Sequence, residues 1–171
     1  MRRASETIYW DVLKHASGTF YMGMSEKGLV GLQIGHQYDD FVSLISKKIP
    51  NAALEHNPKK LEQWSNQLSE YYENKRKAFD LPVDLRGTDF QQSVWTALLN
   101  IPFGQTCTYS DIAQEIGNEK AVRAVGAACG ANPLMIVVPC HRVVGKDGGM
   151  HGFAGEGGVS TKQTLLKHEK N

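Results

Sequence analysis

The sequence predicts an α+β protein of two domains: an antiparallel sheet with helices over residues 1–86, then a mainly helical domain over residues 87–171. Three observations predict it. The first third alternates apolar and polar residues with a period of two, as half-buried strands do. After Arg86 the apolar spacing becomes helical and acquires capping residues. Two short helical segments are then joined by a tight Gly117-Asn118 turn, the pattern of a helix-turn-helix.

In the first domain Ile8 to Val12, Thr19 to Met24 and Leu29 to Ile34 alternate as strands. Gly18 and the turn Ser25-Glu26-Lys27-Gly28 separate them, giving a meander. Phe41, Leu44, Ile45 and Lys48 recur at helical spacing, as do Leu61, Trp64, Leu68 and Tyr71, so two helices are expected to cover one face of the sheet. Phe79 to Leu85 alternates again and is expected to return as an edge strand, because Pro82 has no N–H to give to a ladder. The aromatic residues here read as core and receive no functional role.

In the second domain Thr88-Asp89-Phe90-Gln91 fits a capping box that starts a helix with the apolar stripe Phe90, Val94, Trp95, Leu98 and Leu99. Ile101-Pro102-Phe103-Gly104 ends it. A short helix from about Tyr109 to Ile116 stops at Gly117, and Asn118 is placed to cap the next, from Glu119 to about Cys129. That helix is built almost entirely of small residues, which lets its backbone approach DNA or a neighbouring helix closely; composition by itself favours internal packing. Arg123 stands out as a long cation in a small, apolar run. A last helix is expected around Lys162 to Glu169.

Composition bounds the function. Of the 171 residues 41% are hydrophobic, enough for a real core. No apolar stretch approaches the roughly 20 residues of a membrane span, and the N-terminus lacks a signal-peptide apolar region, so a soluble, intracellular protein is expected. Cys107, Cys129 and Cys140 are odd in number and form no CxxC pair, which disfavours a disulfide framework and a structural zinc site. The net charge of +1 does not announce a nucleic-acid binder.

The chemistry gathers near Cys140. After Asn132-Pro133, the apolar run Leu134 to Val138 delivers Pro139-Cys140-His141-Arg142-Val143. An unpaired cysteine beside a histidine is a candidate nucleophile, because a base or cation raises the thiolate fraction. On a regular strand the two side chains would point to opposite faces; Pro139 allows an irregular backbone, and a water could link thiol and imidazole. Set against this, a lone buried cysteine is more often an inert small hydrophobe. Glu169 could reach back to orient His141, although a carboxylate so placed is more commonly a solvated surface group. The glycine-dense stretch from Gly145 to Gly158 suits a loop closing over a ligand and carries no phosphate-loop pattern.

From Phe90 to Glu169 the chain resembles the C-terminal domain of the O6-alkylguanine-DNA alkyltransferases, or methylated-DNA-protein-cysteine methyltransferases. The matching residues are Phe90-Gln91, Val94-Trp95, Ile101-Pro102, Gly104, Thr108-Tyr109, Arg123-Ala124-Val125-Gly126, Asn132-Pro133, Pro139 to Val143, Lys162, Leu165-Leu166 and Glu169. The first half resembles the family's ribonuclease-H-like domain only in pattern. The resemblance implies a winged helix-turn-helix-like second domain that binds double-stranded DNA containing alkylated guanine through the minor groove and flips the damaged base. It implies irreversible, single-turnover transfer of the alkyl group to Cys140; O4-alkylthymine stands beside O6-alkylguanine as a second candidate substrate.

By the same resemblance His141 accepts the thiol proton through a water held in turn by Glu169. Tyr109 donates to the guanine ring, Asn132 braces the turn before Cys140, and Lys162 supports polar groups near the thiolate. Arg123 fills the gap left by the flipped base, and Tyr109, Ala124, Gly126, Ala127 and Gly130 line the DNA. Val143, Phe153, Ala154 and Tyr109 form the base pocket. Phe153 stands where many members have Tyr, which removes a hydroxyl from that pocket. The family implies no cofactor for transfer, a monomer without an obligate protein partner, no membrane, and a cytoplasmic location, nuclear in a eukaryote. Some members hold zinc through N-terminal cysteines, and all three cysteines here follow residue 100, so no metal is expected.

Two other readings compete. A cysteine hydrolase acting through an acyl-enzyme uses Cys140 and His141 and leaves the helix-turn-helix and Arg123 unexplained. A pure DNA-binding module explains the helices and leaves Cys140-His141 idle.

Overall fold

The meander forms as β1 (Thr7–His15), β2 (Gly18–Met24) and β3 (Leu29–Ile34), with Tyr9 opposite Met24 and Phe20 opposite Ile34. A fourth strand, β4 (Ala53–His56), adds to the other side of β1 in parallel, giving the order β3-β2-β1-β4. Its four residues are too few and too exposed for alternation to reveal them. The computed structural model describes residues 5–149 and 158–170, and the chain divides into two compact units, residues 1–86 and 87–171.

The helices α1 (Tyr38–Lys48) and α2 (Pro58–Tyr72) lie on opposite faces of this sheet, which corrects the expectation that both cover one. Successive residues of a strand point to opposite sides. Tyr21 stacks on Phe41 of α1 at 5.8 Å, whereas its neighbour Phe20 meets Tyr72 of α2 at 5.2 Å. On the α1 side a Cβ added at Gly23 would come within 2.9 Å of Phe41, and one at Gly31 within 2.8 Å of Ile45, so these glycines let the helix sit close. The core on this side is Ile8, Val30, Phe41, Ile45 and Ile49.

The expected edge strand over residues 79–85 is also corrected. Only Val83 bridges, to Leu29, flanked by bonds from Leu29 N to Pro82 O at 3.0 Å and from Asp84 N to Leu29 O at 2.8 Å. Side chains then take over from the ladder: Ser25 Oγ donates to Asp84 at 2.6 Å, and Arg86 bridges Asp84 and Glu6.

In the second unit α3 (Asp89–Leu98) begins with the expected box, Thr88 and Gln91 capping each other at 3.1 and 3.0 Å. A second box, Thr108 with Asp111, starts α4 (Tyr109–Glu115). Gly117, at φ 78°, follows that helix. α5 is Val122–Gly130, three residues shorter at its start than expected, and Asn118 does not cap it. Instead Ala121 N donates to the Asn118 carbonyl at 3.0 Å, so residues 118–121 form a turn of their own. β5 (Cys107–Thr108) pairs in parallel with β6 (Val143–Val144), and α6 (Val159–Glu169) closes the described chain. Trp95, fully buried, donates its indole N–H to Ala128 O at 2.9 Å and ties α3 to α5.

Candidate active site

The apolar run before Cys140 forms no strand and is a buried sequence of turns. Val137 N donates to Met135 O and Val138 N to Leu134 O, at 2.8 and 2.9 Å. Ile136 takes φ 74°, a left-handed conformation that a β-branched residue adopts at a cost of roughly 1–3 kcal/mol. Prolines at both ends, Pro133 and Pro139, deny a ladder its donors. Asn132 replaces that ladder. Its Oδ1 accepts from Leu134 N at 2.9 Å, and its Nδ2 donates to Val138 O at 2.8 Å and to Cys140 Sγ at 3.3 Å.

Cys140, His141 and Arg142 then form a single 3-10 turn, all three buried. The turn directs His141 toward α6. His141 Nε2 lies 2.6 Å from Glu169 Oε2, and since a carboxylate only accepts, Nε2 carries the proton. Nδ1, also buried, has no hydrogen-bond partner among the described residues. Glu169 is thus an inward-facing carboxylate, 5% exposed. Arg142 grips it with Nε at 2.8 Å and Nη2 at 3.0 Å, and donates through Nη1 to Ile101 O at 2.6 Å. Gly104 N donates weakly to Glu169 Oε1 at 3.4 Å, and Glu169 O lies 3.2 Å from where a Gly104 Cβ would stand.

The electrostatics follow from burial. Desolvation pushes the Cys140 thiol up to about 11, opposed by the Asn132 hydrogen bond and the charge of Lys162. Burial lowers the proton affinity of His141, opposed by Glu169 and reinforced by Arg142 and Lys162. A protonated thiol therefore sits on the residue next to a neutral imidazole, the pairing needed when a base must take the proton during attack. Lys162, 1% exposed, donates to Val143 O at 2.6 Å and to Tyr109 Oη at 3.4 Å; its own proton affinity is lowered by burial. Burial raises the Tyr109 phenol to about 12, so it stays a donor at neutral pH.

Three hydrogen-bonded groups, Asn132 with Cys140, His141 with Glu169 and Arg142, and Lys162 with Val143 and Tyr109, thus meet along the segment from Cys140 to Val143. On α5, Val125, Ala128 and Cys129 face inward, while Arg123, Ala124, Ala127 and Gly130 form an exposed stripe. Gly126 sits between, where a Cβ would touch the Tyr109 ring at 4.0 Å. Phe153 and Ala154 lie outside the described residues. A pocket of about 340 Å³ is lined by Tyr109, Ser110, Val122, Gly145 and Lys146. A larger cleft of about 500 Å³ opens between α3 and the end of α4; of the two, the smaller one shares a residue, Tyr109, with the groups described above. Gly145 and Lys146 belong to the glycine-dense stretch expected to close over a ligand, whereas Ser110, Val122, Gly104 and Arg142 were given no role by the sequence.

Residues 89–171 match the model of the 6-O-methylguanine DNA methyltransferase DNA-binding domain, and residues 8–85 match that family's ribonuclease-like domain. The chain belongs to the methylated-DNA–protein-cysteine methyltransferase family. An inducible methylated-DNA–protein-cysteine methyltransferase of Bacillus subtilis is 44% identical over 173 residues, spanning 99% of this chain and 94% of its own. The Methanosarcina mazei methyltransferase is 49% identical over 96% of this chain and 98% of its own. The crystal structure of Mycobacterium tuberculosis O6-methylguanine methyltransferase superposes with a TM-score of 0.79 at 35% identity, covering 95% of this chain and 93% of that one. The M. tuberculosis OGT structure in complex with DNA gives 0.79 at 36% identity, over 95% and 92%. Membership in a methyltransferase family sets aside the hydrolase and the idle DNA-binding module. Among the described residues no helix is long and apolar enough to cross a membrane.

Proposed function

We propose that this chain repairs O6-alkylguanine in double-stranded DNA by moving the alkyl group irreversibly onto Cys140. The observation that carries the reading is the buried thiol held by Asn132 at 3.3 Å, next in sequence to a neutral histidine whose far nitrogen is fixed by Glu169.

The damaged base must leave the stack, at a cost of a few kcal/mol, before a buried thiol can reach its alkyl carbon. The exposed stripe of α5 suits this: Ala124, Ala127 and Gly130 let its backbone lie close to a minor groove, and Arg123 projects from the same face to occupy the gap. Phosphate contacts from backbone amides hold the duplex without a strongly basic chain. The pocket beside Tyr109 receives the base.

In the transfer step the sulfur lone pair forms a bond to the alkyl carbon while the carbon–O6 bond breaks and leaves its electrons on guanine. The thiol proton passes through water to His141 Nδ1, and Glu169 stabilises the imidazolium. Tyr109, its oxygen accepting from Lys162, donates to the base as negative charge develops there. The Asn132 donor and the Lys162 charge both favour the thiolate, so they count most as sulfur ionises. The product is a thioether with no thiol left, so each molecule acts once, as a monomer and without a cofactor.

Intact-mass spectrometry with peptide mapping, after incubation with a duplex containing O6-methylguanine, tests this. One added methyl on Cys140 and no turnover beyond one equivalent is the expected result; label on Cys107 or Cys129 at the same rate, or no label at all, overturns it.

A further inference from the structure

We propose that Arg142 is a positioning residue for the transfer: its guanidinium fixes the Glu169 carboxylate against His141 and so sets the ring's tautomer and its readiness to take the Cys140 proton. The inference rests on the alkyl-transfer reading above.

The geometry is that of a fork. Arg142 Nε meets Glu169 Oε1 at 2.8 Å and Nη2 meets Oε2 at 3.0 Å, while Nη1 is anchored on Ile101 O at 2.6 Å. A two-point grip of this kind fixes the plane of a carboxylate, which one hydrogen bond to an imidazole cannot do. Glu169 Oε2 is then presented to His141 Nε2 at 2.6 Å, and the only nitrogen left to accept a proton is Nδ1. The Phe103 ring, 5.8 Å from the guanidinium carbon, covers the fork.

Charge matters as much as geometry. The charged groups facing His141 are Arg142 from its own turn and Glu169 and Lys162 from α6. Cys140 precedes it on the turn, and α3, the other helix packed there, carries its one charged side chain, Asp89, at its first residue. Glu169 alone would favour an imidazolium in the resting protein, which could accept no proton. Burial is the largest effect against that pull, and Arg142 adds to it ahead of Lys162, leaving a ring that is neutral at rest and still stabilised once charged.

The test uses the full chain as wild type, Arg142→Met and Arg142→Lys, with two readouts: the single-turnover rate of methylation of Cys140 across pH, and the NMR signals of the His141 ring nitrogens in DNA-free protein. In Arg142→Met the acid limb of the rate profile is expected to move up by about one pH unit, a roughly tenfold loss at its acid end. Arg142→Lys keeps the charge and loses the fork, so its limb stays near that of wild type while transfer slows several-fold and the ring shows mixed tautomers. A folded Arg142→Met with an unmoved limb overturns the proposal. Should that variant not fold, Arg142→Lys decides: a wild-type rate and a single tautomer overturn it. If wild type itself transfers no methyl, the function fails, and the ring tautomer in Arg142→Lys still decides the role of Arg142.

Discussion

Asn132 Nδ2 donates at once to Cys140 Sγ, at 3.3 Å, and to the Val138 carbonyl, at 2.8 Å. One amide therefore both shapes the turn and touches the reacting atom. Asn132→Ala leaves the Leu134 N–H buried and unpaired, at a cost of about 1–3 kcal/mol, while the Val138 carbonyl keeps only its bond from Cys140 N. Chemical denaturation should show a lower midpoint with an unchanged slope. Asn132→Asp removes the donor and adds a like charge to a thiolate, so methyl transfer should fall more than stability does. An Asp variant that transfers at the wild-type rate would show that the hydrogen bond to sulfur has no part in the reaction.

The free protein should be most stable between the ordinary proton affinities of histidine and cysteine. Burial raises Cys140 from 9.0 to about 11 and Cys129 from 9.0 to about 12, so the folded state holds these protons more tightly than the unfolded one. That stability is present below pH 9 and is lost as pH climbs through the folded values. His141 acts in the other direction: its affinity is lowered from 6.5, so its contribution is present above pH 6.5 and lost as pH falls toward the folded value. Melting temperatures across pH should form a plateau from about 6.5 to 9 with losses on both sides. Cys129→Ala should soften the alkaline loss; no change in that variant would remove Cys129 from the account.

Gly130→Ala separates folding from binding. A Cβ at Gly130 meets nothing within 4 Å, and one at Gly126 only touches the Tyr109 ring at 4.0 Å. Glycine to alanine in a helix gains roughly 0.5–1 kcal/mol, so melting should rise slightly for Gly130→Ala or stay level at this last helical position. Binding to duplex DNA should nevertheless weaken if α5 lies against the groove. Fluorescence anisotropy with a damaged duplex reads this directly, and unchanged affinity in Gly130→Ala would place the DNA elsewhere.

Arg123→Ala removes an exposed side chain and should leave stability within about 0.5 kcal/mol. Transfer from a double-stranded substrate should slow much more than transfer from the free base O6-benzylguanine, because only the former needs a gap filled. Equal slowing of both substrates would point to an effect on the site itself.

Lys162→Met keeps the packing and removes the charge that helps to hold down the Cys140 thiol. It also strips the donor from Val143 O and from Tyr109. Cys140 should ionise at still higher pH, read by alkylation with iodoacetamide across pH. A thiol titration unchanged from wild type would confine Lys162 to a structural part.

Much of this protein was determined by local sequence. The three meander strands, the Thr88 box, the Gly117 stop and the motif around Cys140 are all set by residues within a few positions of one another, through alternation, caps and prolines. Tertiary structure decided what those rules do not reach. β4 exists because β1 offers an edge to four residues with little pattern of their own, and α1 and α2 take opposite faces because both sides of the strands carry apolar residues. The run before Cys140 is continuously apolar, and prolines at its ends and the Asn132 side chain bend it into turns. The charge logic of the site was the least legible part. Glu169 is 28 residues from His141, and whether it is a surface carboxylate or a buried partner depends on α6 folding back over the turn. Arg142 is adjacent to His141, but its grip on Glu169 and on Ile101, 41 residues away, arises only once both are packed around it, since a buried charge is tolerated only where its partners converge.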